Sequence, residues 1–389
     1  MLMPKFCLLS RWSPVAVIFL ALITFNLAQA QAAQARGSAT PDAHKSIWKR
    51  MPTPNPGGDA LALAIAGDSE KDVWVVGDFI ALKFDGQTWN SVAPVFPGGE
   101  GALDGVTVIS PTDVWAVGSV LLNGTHLISV IEHYDGTRWK LVDNPQFDSG
   151  SKLYKVQAFS ANDIYAVGEF HSDSQKGKPL VEHYDGTKWS VVQVPALKNV
   201  KNAVLSAVAG LSHNDFWIAG TTAKFQGGSG DPLVFHFDGQ QFNQVQFPGT
   251  GVSIGGIAEI AANDAWIVGG SNGSPLAAHW DGTAFTIVPA PGKGTGSGFT
   301  GVSAISSDNI WASGSVTDVN KGFLYLIEHW DGKSWTISKI HPTPGGFDAM
   351  FGAKAFPSGS VFMIGVALDC QDNFCSGFAP AVFHTNQGK

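Results

Sequence analysis

Two short stretches, Asp113-Val-Trp-Ala-Val-Gly118 and His133-Tyr-Asp-Gly-Thr-Arg-Trp139, decide the fold of this chain because both recur along its length. The first, Asp-x-Trp-x-x-Gly, is a short apolar run rich in residues that favour β-strands. The second contains Asp-Gly, the strongest short signal for a hairpin turn, between aromatic positions. We therefore interpret the pair as the recurring part of a unit of antiparallel strands.

The repeat accounts for most of the chain. Its first aromatic position recurs about every 48 residues, at Trp74, Trp115, Tyr165, Trp217, Trp266, Trp311 and Phe362. The second stretch begins at His133, His183 and His329, and in altered form at Lys83, His236 and His279. Each copy has room for four short strands, a pattern typical of propellers. The sequence therefore predicts an all-β, seven-bladed β-propeller of four-stranded blades.

The two ends of the chain predict how the ring closes. The seventh copy stops near His384 without a fourth strand, whereas Ile47-Trp48 precedes the first copy and matches Ser334-Trp335 of the sixth. We expect the N-terminal strand to complete the last blade, so that residues 47–389 form one propeller. Such closure removes sheet edges that would otherwise be open to pairing with another chain.

The repeated motifs also carry a family resemblance. The chain resembles bacterial secreted β-propellers that are loosely grouped with kelch and galactose-oxidase-like propellers. Its Asp-Gly-x-x-Trp piece is similar to the Asp-box of sialidase-type propellers, which has one more residue between Asp and Gly. The resemblance covers residues 47–389 and implies the fold and export. It implies no single activity, because propellers host binding, hydrolase, lyase and oxidase functions.

The N-terminus has the pattern of a secretory signal peptide. Lys5 and Arg11 precede an apolar run from residue 15 to residue 27, followed by Ala28-Gln29-Ala30. The run is shorter than the ~20 apolar residues of a membrane span. We expect residues 1–30 to be removed, residues 31–46 to form a flexible leader, and the mature chain to be a secreted monomer, periplasmic or extracellular, without a membrane span.

The charge of the chain excludes one class of partner. Its 389 residues carry 24 Lys and Arg against 32 Asp and Glu, for a formal net charge of −8. Proteins that bind nucleic acid concentrate positive charge against the phosphates. We therefore expect no nucleic-acid partner.

Two cysteines remain after the signal peptide. Cys370 and Cys375 are close in sequence, and in an oxidising compartment the simplest expectation is a disulfide between them. Half of a metal site is the alternative, but no neighbouring histidine or second cysteine pair supports it.

The repeat gives many conspicuous residues a structural interpretation. We predict a hydrogen bond between the strand-ending histidine and the strand-starting aspartate in Asp113/His133, Asp163/His183, Asp215/His236 and Asp264/His279. Because the repeat histidines, which also include His329 and His384, lie in different blades, no three of them are expected to share a metal ion. The repeat tryptophans (Trp74, Trp115, Trp217, Trp266 and Trp311 among them) are expected to fill the spaces between blades. Glu132, Glu182 and Glu328 are conceivable acid/base carboxylates, but structural pairing is favoured.

Loop lengths predict a working face. The segment from the second-strand glycine to the third-strand histidine varies in length between copies, whereas the segment from that histidine to the fourth strand is constant. Function tends to lie on variable loops held by a rigid scaffold. The polar residues predicted on this face are Asp78, His126, Glu169, His171, Asp173, Lys178, Lys224, Asp231, Asp318, Lys321, Asp369 and Asp372.

Two function classes remain open. The first is a binding scaffold for a protein or glycan, favoured because no nucleophile elbow, zinc-protease helix motif or phosphate loop occurs in the sequence. The second is a carbohydrate-active enzyme, a lyase or glycoside hydrolase, with carboxylates and His126 or His171 at the channel mouth. No cofactor is predicted. A calcium ion at Asp318-x-Asn320-x-Gly322 is a weaker alternative, because the stretch lacks the distal glutamate of a calcium loop.

Overall fold

The computed structural model describes residues 48–54, 60–98, 100–171, 177–197, 200, 202–222, 230–292, 295–318, 322–340, 348–371 and 374–386. Only the backbone is described at residues 295, 369–371 and 374–376. The predicted signal peptide and leader lie outside these ranges. Within them every regular element is a β-strand, and no helix is long and apolar enough to cross a membrane.

The strands form seven sheets of four antiparallel strands, which confirms the predicted fold class. Blade 1 comprises β2 (Ala62–Ser69), β3 (Asp72–Gly77), β4 (Ile80–Phe84) and β5 (Trp89–Ser91). Blade 2 comprises β6 (Glu100–Ser110), β7 (Asp113–Leu122), β8 (His126–Tyr134) and β9 (Trp139–Val142). Blade 3 comprises β10 (Ser151–Ser160), β11 (Asp163–His171), β12 (Gly177–Tyr184) and β13 (Trp189–Val191). Blade 4 comprises β14 (Val204–Ser212), β15 (Asp215–Thr221), β16 (Pro232–Phe237) and β17 (Phe242–Gln244).

The remaining blades follow the same order. Blade 5 comprises β18 (Val252–Ala261), β19 (Asp264–Ser271), β20 (Ser274–Trp280) and β21 (Phe285–Val288). Blade 6 comprises β22 (Thr295–Ser306), β23 (Asn309–Asp318), β24 (Gly322–Trp330) and β25 (Trp335–Ile337). Blade 7 comprises β26 (Asp348–Ala355), β27 (Ser360–Gln371) and β28 (Phe374–Asn386), completed by β1 (Lys49–Met51).

Blade 7 closes the ring in the predicted way. β1 pairs antiparallel with β28, with Lys49 opposite His384 and Met51 opposite Val382. The side chain of Trp48, just before β1, is buried, and its indole Nε1 donates a hydrogen bond to Ser338 Oγ of the blade 6–7 connection at 2.9 Å. The two ends of the chain are therefore joined within one sheet.

The hairpin between the third and fourth strands explains the Asp-Gly-x-x-aromatic motif. In blade 2, Asp135 Oδ1 accepts hydrogen bonds from the backbone N–H groups of Thr137 at 3.0 Å and Arg138 at 3.1 Å. Gly136 has a φ of 91°, a left-handed conformation that glycine adopts without strain. The same arrangement lowers the pKa of Asp185 to about 2, because its carboxylate accepts hydrogen bonds from Thr187 and from the Lys188 backbone.

In each blade a side chain near the end of the third strand contacts the residue at which the second strand begins. The predicted histidine–aspartate hydrogen bonds are present in all four blades. The Nε2–Oδ1 distances are 2.9, 2.7, 2.7 and 3.0 Å for His133–Asp113, His183–Asp163, His236–Asp215 and His279–Asp264. The other blades replace a partner but keep the contact, as His329–Asn309 at 3.0 Å, His384–Ser360 at 2.7 Å and Lys83–Asp72 at 3.3 Å. We call these seven contacts the latches.

Aromatic contacts connect each blade to the next. The second-strand aromatic of one blade packs against aromatic side chains of the third or fourth strand of its neighbour, as in Trp74–Trp139, whose ring centroids are 5.2 Å apart. Corresponding pairs are Trp115–Trp189, Tyr165–Phe237, Trp217–Phe285, Trp266–Trp335, Trp311–Trp48 and Phe362–Trp89. All seven blade interfaces therefore contain such a pair, which is the role predicted for the repeat tryptophans.

The innermost strands share a feature that the sequence analysis did not predict. In every blade the pairing of first and second strands shifts register at a corresponding position within the first strand, which is a β-bulge. The bulged residues are Leu63, Asp104, Tyr154, Ser206, Gly255, Thr300 and Phe351. Several contact the next blade: Ser206 Oγ donates to the carbonyl of Ile254 at 2.8 Å, and Thr300 Oγ1 to that of Met350 at 2.6 Å. The bulges therefore form a ring around the channel.

Trp48 gives the first test of this architecture. We expect Trp48→Ala to lower the free energy of unfolding by about 3–5 kcal/mol, because the change leaves a cavity at the interface of blades 6 and 7. Lys49→Ala, an exposed position on β1, is the matched control and is expected to change it by less than about 0.5 kcal/mol. Urea unfolding followed by tryptophan fluorescence measures both. Equal stability of Trp48→Ala and the parent protein would contradict the closure.

Candidate functional site

The turns between second and third strands lie at the same end of the blades as the connections between blades. In blade 1, for example, the Asp78 N–H after β3 donates to the carbonyl of Leu61 before β2 at 3.0 Å. Asp78 also forms a bridge to Ala102 of blade 2. We call this end the variable-turn face. The end that carries the latches and the Asp-Gly hairpins is the latch face.

The predicted ligand-binding residues are distributed over several blades. Asp78 is buried beside β3, His126 is exposed at the start of β8, and Asp318 ends β23. Asp231 closes the blade 4 turn, since its backbone N–H donates to Thr222 Oγ1 at 2.8 Å. Only the backbone of Asp369 is described, in β27. Asp173, Lys224, Lys321 and Asp372 lie outside the described residues.

Two of the predicted residues lie together. Glu169 and His171, both on β11, bring a carboxylate oxygen to 3.8 Å from the imidazole Nε2. Tyr154, the bulged residue of blade 3, donates its hydroxyl to Glu169 Oε1 at 2.8 Å. The variable-turn pattern predicts the acidic and imidazole members of this group but not the phenol, which lies in a first strand.

A buried ion pair lies beside this group. Lys152 Nζ is 3.0 Å from an oxygen of Asp104, the bulged residue of blade 2, and both side chains are almost fully buried. Lys155 Nζ donates to the backbone carbonyl of Asp104 at 3.1 Å. Sequence reasoning missed these residues because they lie in first strands, outside the variable turns. Alignment of the repeats could have identified Lys152, because this lysine occupies a position that is apolar in other blades, as Leu61 in blade 1 and Val204 in blade 4.

Burial sets the proton affinities of these groups. It raises the pKa of Tyr154 well above its usual value, and the neighbouring Glu169 carboxylate adds to the effect. Burial also lowers the pKa of Lys155, partly opposed by the Asp104 carboxylate. Tyr154 is therefore a hydrogen-bond donor at neutral pH, and its phenolate is disfavoured as a base.

Aromatic surface is also present at this face. Phe79, in the short turn after β3, is 49% exposed, and its ring centroid lies 5.9 Å from that of Phe96. Its φ of 57° is left-handed, which is uncommon for a bulky residue and energetically unfavourable. Val95, next to Phe96, is exposed as well. We call Phe79, Val95 and Phe96 the aromatic patch.

The channel encloses a cavity of about 330 Å³. Its lining comes from all seven first strands, which run from the variable-turn face to the latch face. In each strand the lining residues begin at or after the bulged residue, so the cavity occupies the half of the channel towards the latch face. Lys155 and Lys354 are the charged side chains of this described lining, which is otherwise small, apolar or uncharged. Burial lowers the pKa of both lysines.

The three third-strand glutamates have structural partners. Glu132 Oε2 accepts the backbone N–H of Val95 at 2.9 Å, and Glu182 Oε2 accepts Asn144 Nδ2 at 3.3 Å. Glu328 interacts with the Gly292 backbone N–H. Each carboxyl group therefore holds the connection that comes from the preceding blade. Burial raises the pKa of Glu132 to about 7, of Glu182 to about 8 and of Glu328 to about 7.

These raised values predict a pH dependence of stability. Each folded-state pKa exceeds the unfolded value of 4.5, so the folded protein favours the protonated form. The resulting stabilisation is complete below pH 4.5 and is lost as the pH rises through 7 to 8. We expect replacement of Glu132, Glu182 and Glu328 by Gln to reduce the loss of stability between pH 5 and pH 8, by about 1.4 kcal/mol per pKa unit removed.

Urea unfolding at pH 5 and at pH 8 measures this difference between the triple variant and the parent protein. Glu100→Gln, a partly exposed glutamate at the start of β6, is the control and is expected to keep the parent's dependence. An identical pH dependence for the parent and the triple variant would contradict the raised pKa values.

Comparison with solved structures adds the fold relationship. The chain matches YCF48 bound to a D1 peptide with a TM-score of 0.57 and 13% identity, over 89% of this chain and 97% of that one. It matches the extracellular domain of a putative one-component system from B. thetaiotaomicron with a TM-score of 0.54 and 9% identity, over 86% of this chain and 39% of that one. A polysaccharide lyase, an ulvan lyase bound to an oligosaccharide, matches with a TM-score of 0.54 and 12% identity, over 84% and 93%.

These similarities establish the seven-bladed β-propeller fold and nothing finer. No protein-family model and no curated protein sequence matches the chain. Proteins of this fold include a peptide-bound propeller, an extracellular domain of a putative one-component system and a lyase, so a binding scaffold and a carbohydrate enzyme are both compatible with it.

Proposed function

We propose that this protein is an exported binding propeller that takes a protein or glycan ligand on its variable-turn face. The fold neighbours support a binding role in general terms, since one is described as bound to a peptide and others are extracellular domains of putative one- and two-component systems. The choice of face rests on the variable length of the second-to-third-strand turns, against the constant hairpins of the latch face.

The observation that carries the proposal is the exposed ring of Phe79. A half-exposed phenylalanine forgoes part of the favourable free energy that burial of its ring would give. Its left-handed backbone conformation adds a further cost. Contact with an apolar peptide side chain or with the apolar face of a sugar ring would recover the first of these costs. The exposed Val95 and the ring of Phe96 extend the same surface.

The polar groups of the face support binding over catalysis. The Asp104 carboxylate is paired with Lys152, and the Tyr154 hydroxyl is engaged by Glu169. A general base needs a pKa near the working pH, whereas that of Tyr154 is raised away from it. These groups stabilise the junction of blades 2 and 3 and position the surface around them.

A carbohydrate-active enzyme is the second candidate, and one grouping favours it. Glu169, His171 and Tyr154 combine a carboxylate, an imidazole and a phenol within hydrogen-bonding or near-contact distance at the variable-turn face. Those three groups could exchange protons with a bound sugar. Release of new reducing ends or unsaturated uronate from a polysaccharide, abolished by His171→Ala, would favour this candidate.

Export and a disulfide belong to the same proposal. The residues at 1–30 have the charge, apolar run and small residues of a signal peptide. Cys370 on β27 stands opposite Cys375 on β28 in the strand register, as an antiparallel cross-strand disulfide requires. An oxidising compartment would allow the pair to form.

Phe79→Ala tests the binding proposal. We expect the purified protein to be retarded in affinity electrophoresis by one of alginate, polygalacturonate, xylan or laminarin, or to enrich peptides from a phage-displayed random library. The aromatic contact predicts that Phe79→Ala weakens that interaction by roughly 10-fold. Ile287→Ala, an equally exposed apolar residue on the fourth strand of blade 5, is the matched control and should bind as the parent does.

The proposal is wrong if none of these probes binds, or if Phe79→Ala and Ile287→Ala bind equally well. Release of soluble products by the parent protein would instead assign the face to the enzyme class.

A further inference from the structure

A second cluster of chemistry-bearing side chains lies on the latch face, at the junction of blades 3 and 4. It consists of the blade 3 latch, Asp163 and His183, together with His213 from the turn between β14 and β15. His213 is not a repeat histidine. Its turn position is occupied by Pro111, Ala161, Ala262 and Ser307 in other blades.

The latch face brings this turn against the preceding blade. At the junction of blades 1 and 2, Lys83 Nζ of the blade 1 latch donates to the carbonyl of Pro111, the counterpart of His213. A histidine at this turn therefore reaches the latch of the blade before it. The repeat histidines lie in different blades and are not expected to share a metal ion. His213 is not one of them, and its turn position brings it to the latch of another blade.

The three side chains converge on one carboxylate. His183 Nε2 lies 2.7 Å from Asp163 Oδ1, and His213 Nδ1 lies 2.9 Å from Asp163 Oδ2 and 3.0 Å from Oδ1. One ligand atom from each of the three residues lies within 4.8 Å of the others. Asp163 and His183 are held in place by the latch, while His213 is 45% exposed and open to solvent.

The surroundings hold the rings in position. Tyr165 stacks on His183 with ring centroids 4.3 Å apart, and Phe237 lies edge-on to His213 at 6.0 Å. The blade 2 latch differs here, because Trp115 Nε1 donates to Asp113 Oδ1 at 2.9 Å. Tyr165 has no indole N–H at that position, so Asp163 has room for a second imidazole.

We propose that Asp163, His183 and His213 form a binding site for a divalent transition-metal ion, with Zn²⁺ as the reference ligand. Two imidazole nitrogens and one carboxylate oxygen are a ligand set of zinc and its neighbours, whereas Ca²⁺ and Mg²⁺ require more oxygen ligands. Metal–ligand bonds of 2.0–2.2 Å in a tetrahedral site place ligand atoms about 3.3 Å apart. The two imidazole–carboxylate separations, 2.7 Å for His183 and 2.9 Å for His213, reach this value by small outward movements, mainly of the exposed His213. The ion replaces the imidazole protons that now face Asp163 and keeps a fourth position for water.

A second grouping gives an internal comparison. Asp215, His236 and Glu259 also have ligand atoms within 4.8 Å of one another. That set contains one imidazole, and the Glu259 carboxylate is already engaged by Trp217 Nε1 at 3.0 Å and the Leu211 N–H at 3.2 Å. Transition ions favour the site with two imidazoles.

Calorimetric titration of the chelator-treated, tag-free protein with Zn²⁺ tests the proposal. We expect one ion per chain at the high-affinity site, and His213→Ala to weaken its binding by roughly 100-fold. Alanine is the residue that blades 3 and 5 carry at this turn, so the variant is expected to fold. His133→Ala is the matched control. It removes the histidine of the blade 2 latch, where no second imidazole among the described residues contacts the aspartate, and should leave the Zn²⁺ affinity unchanged.

A second readout is the melting temperature, which Zn²⁺ should raise in the parent and in His133→Ala but not in His213→Ala. Co²⁺ substitution should give the visible absorption of a four-coordinate site in the same two proteins. Absence of high-affinity Zn²⁺ binding in the parent, or equal affinities of the parent and His213→Ala, would overturn the proposal.

Discussion

One constraint governs this ring: every blade must bury the second-strand aromatic of its neighbour. Trp74, Trp217 and Trp266 are almost fully buried at such contacts, and burial of an aromatic side chain is among the largest favourable terms available to a sheet. The same contact has to be made where the chain ends meet. There the last blade has Thr385 where other blades carry an aromatic at the end of the third strand, so Trp48 supplies the aromatic partner of Trp311. The N-terminal segment therefore contributes directly to the stability of the ring, through the buried contact of Trp48 with Trp311.

The latches and the carboxyl groups of the third strand make two different kinds of polar contact. The latches fix the second and third strands of each blade at one face, through His–Asp, His–Asn, His–Ser or Lys–Asp contacts. Glu132, Glu182 and Glu328 hold the connection that comes from the preceding blade. Blades without this glutamate, such as blade 4 with Phe235, use apolar packing at the same position. Regular contacts at one face leave the other free to vary.

The repeat made much of this predictable from sequence. The latch pairs and the closing strand follow from the spacing of a motif within one blade, because antiparallel pairing converts sequence distance directly into contact. Contacts between blades at positions that do not repeat could not be derived in this way. Asp104 and Lys152 meet across a blade boundary at a β-bulge, and His213 reaches the latch of the blade before its own. The conformation of Phe79 depends on the shortest of the variable turns, whose geometry the sequence pattern does not specify.

Hydrogen–deuterium exchange of the native protein tests the central claim, closure of the ring by the N-terminal strand, most directly. If closure holds, the backbone amides that pair β1 with β28 are protected to the same degree as those of the second strands β3 and β7, because the ring opens as one cooperative unit. Fast exchange in β1 and along the facing edge of β28, with protection kept in the other six blades, would contradict it.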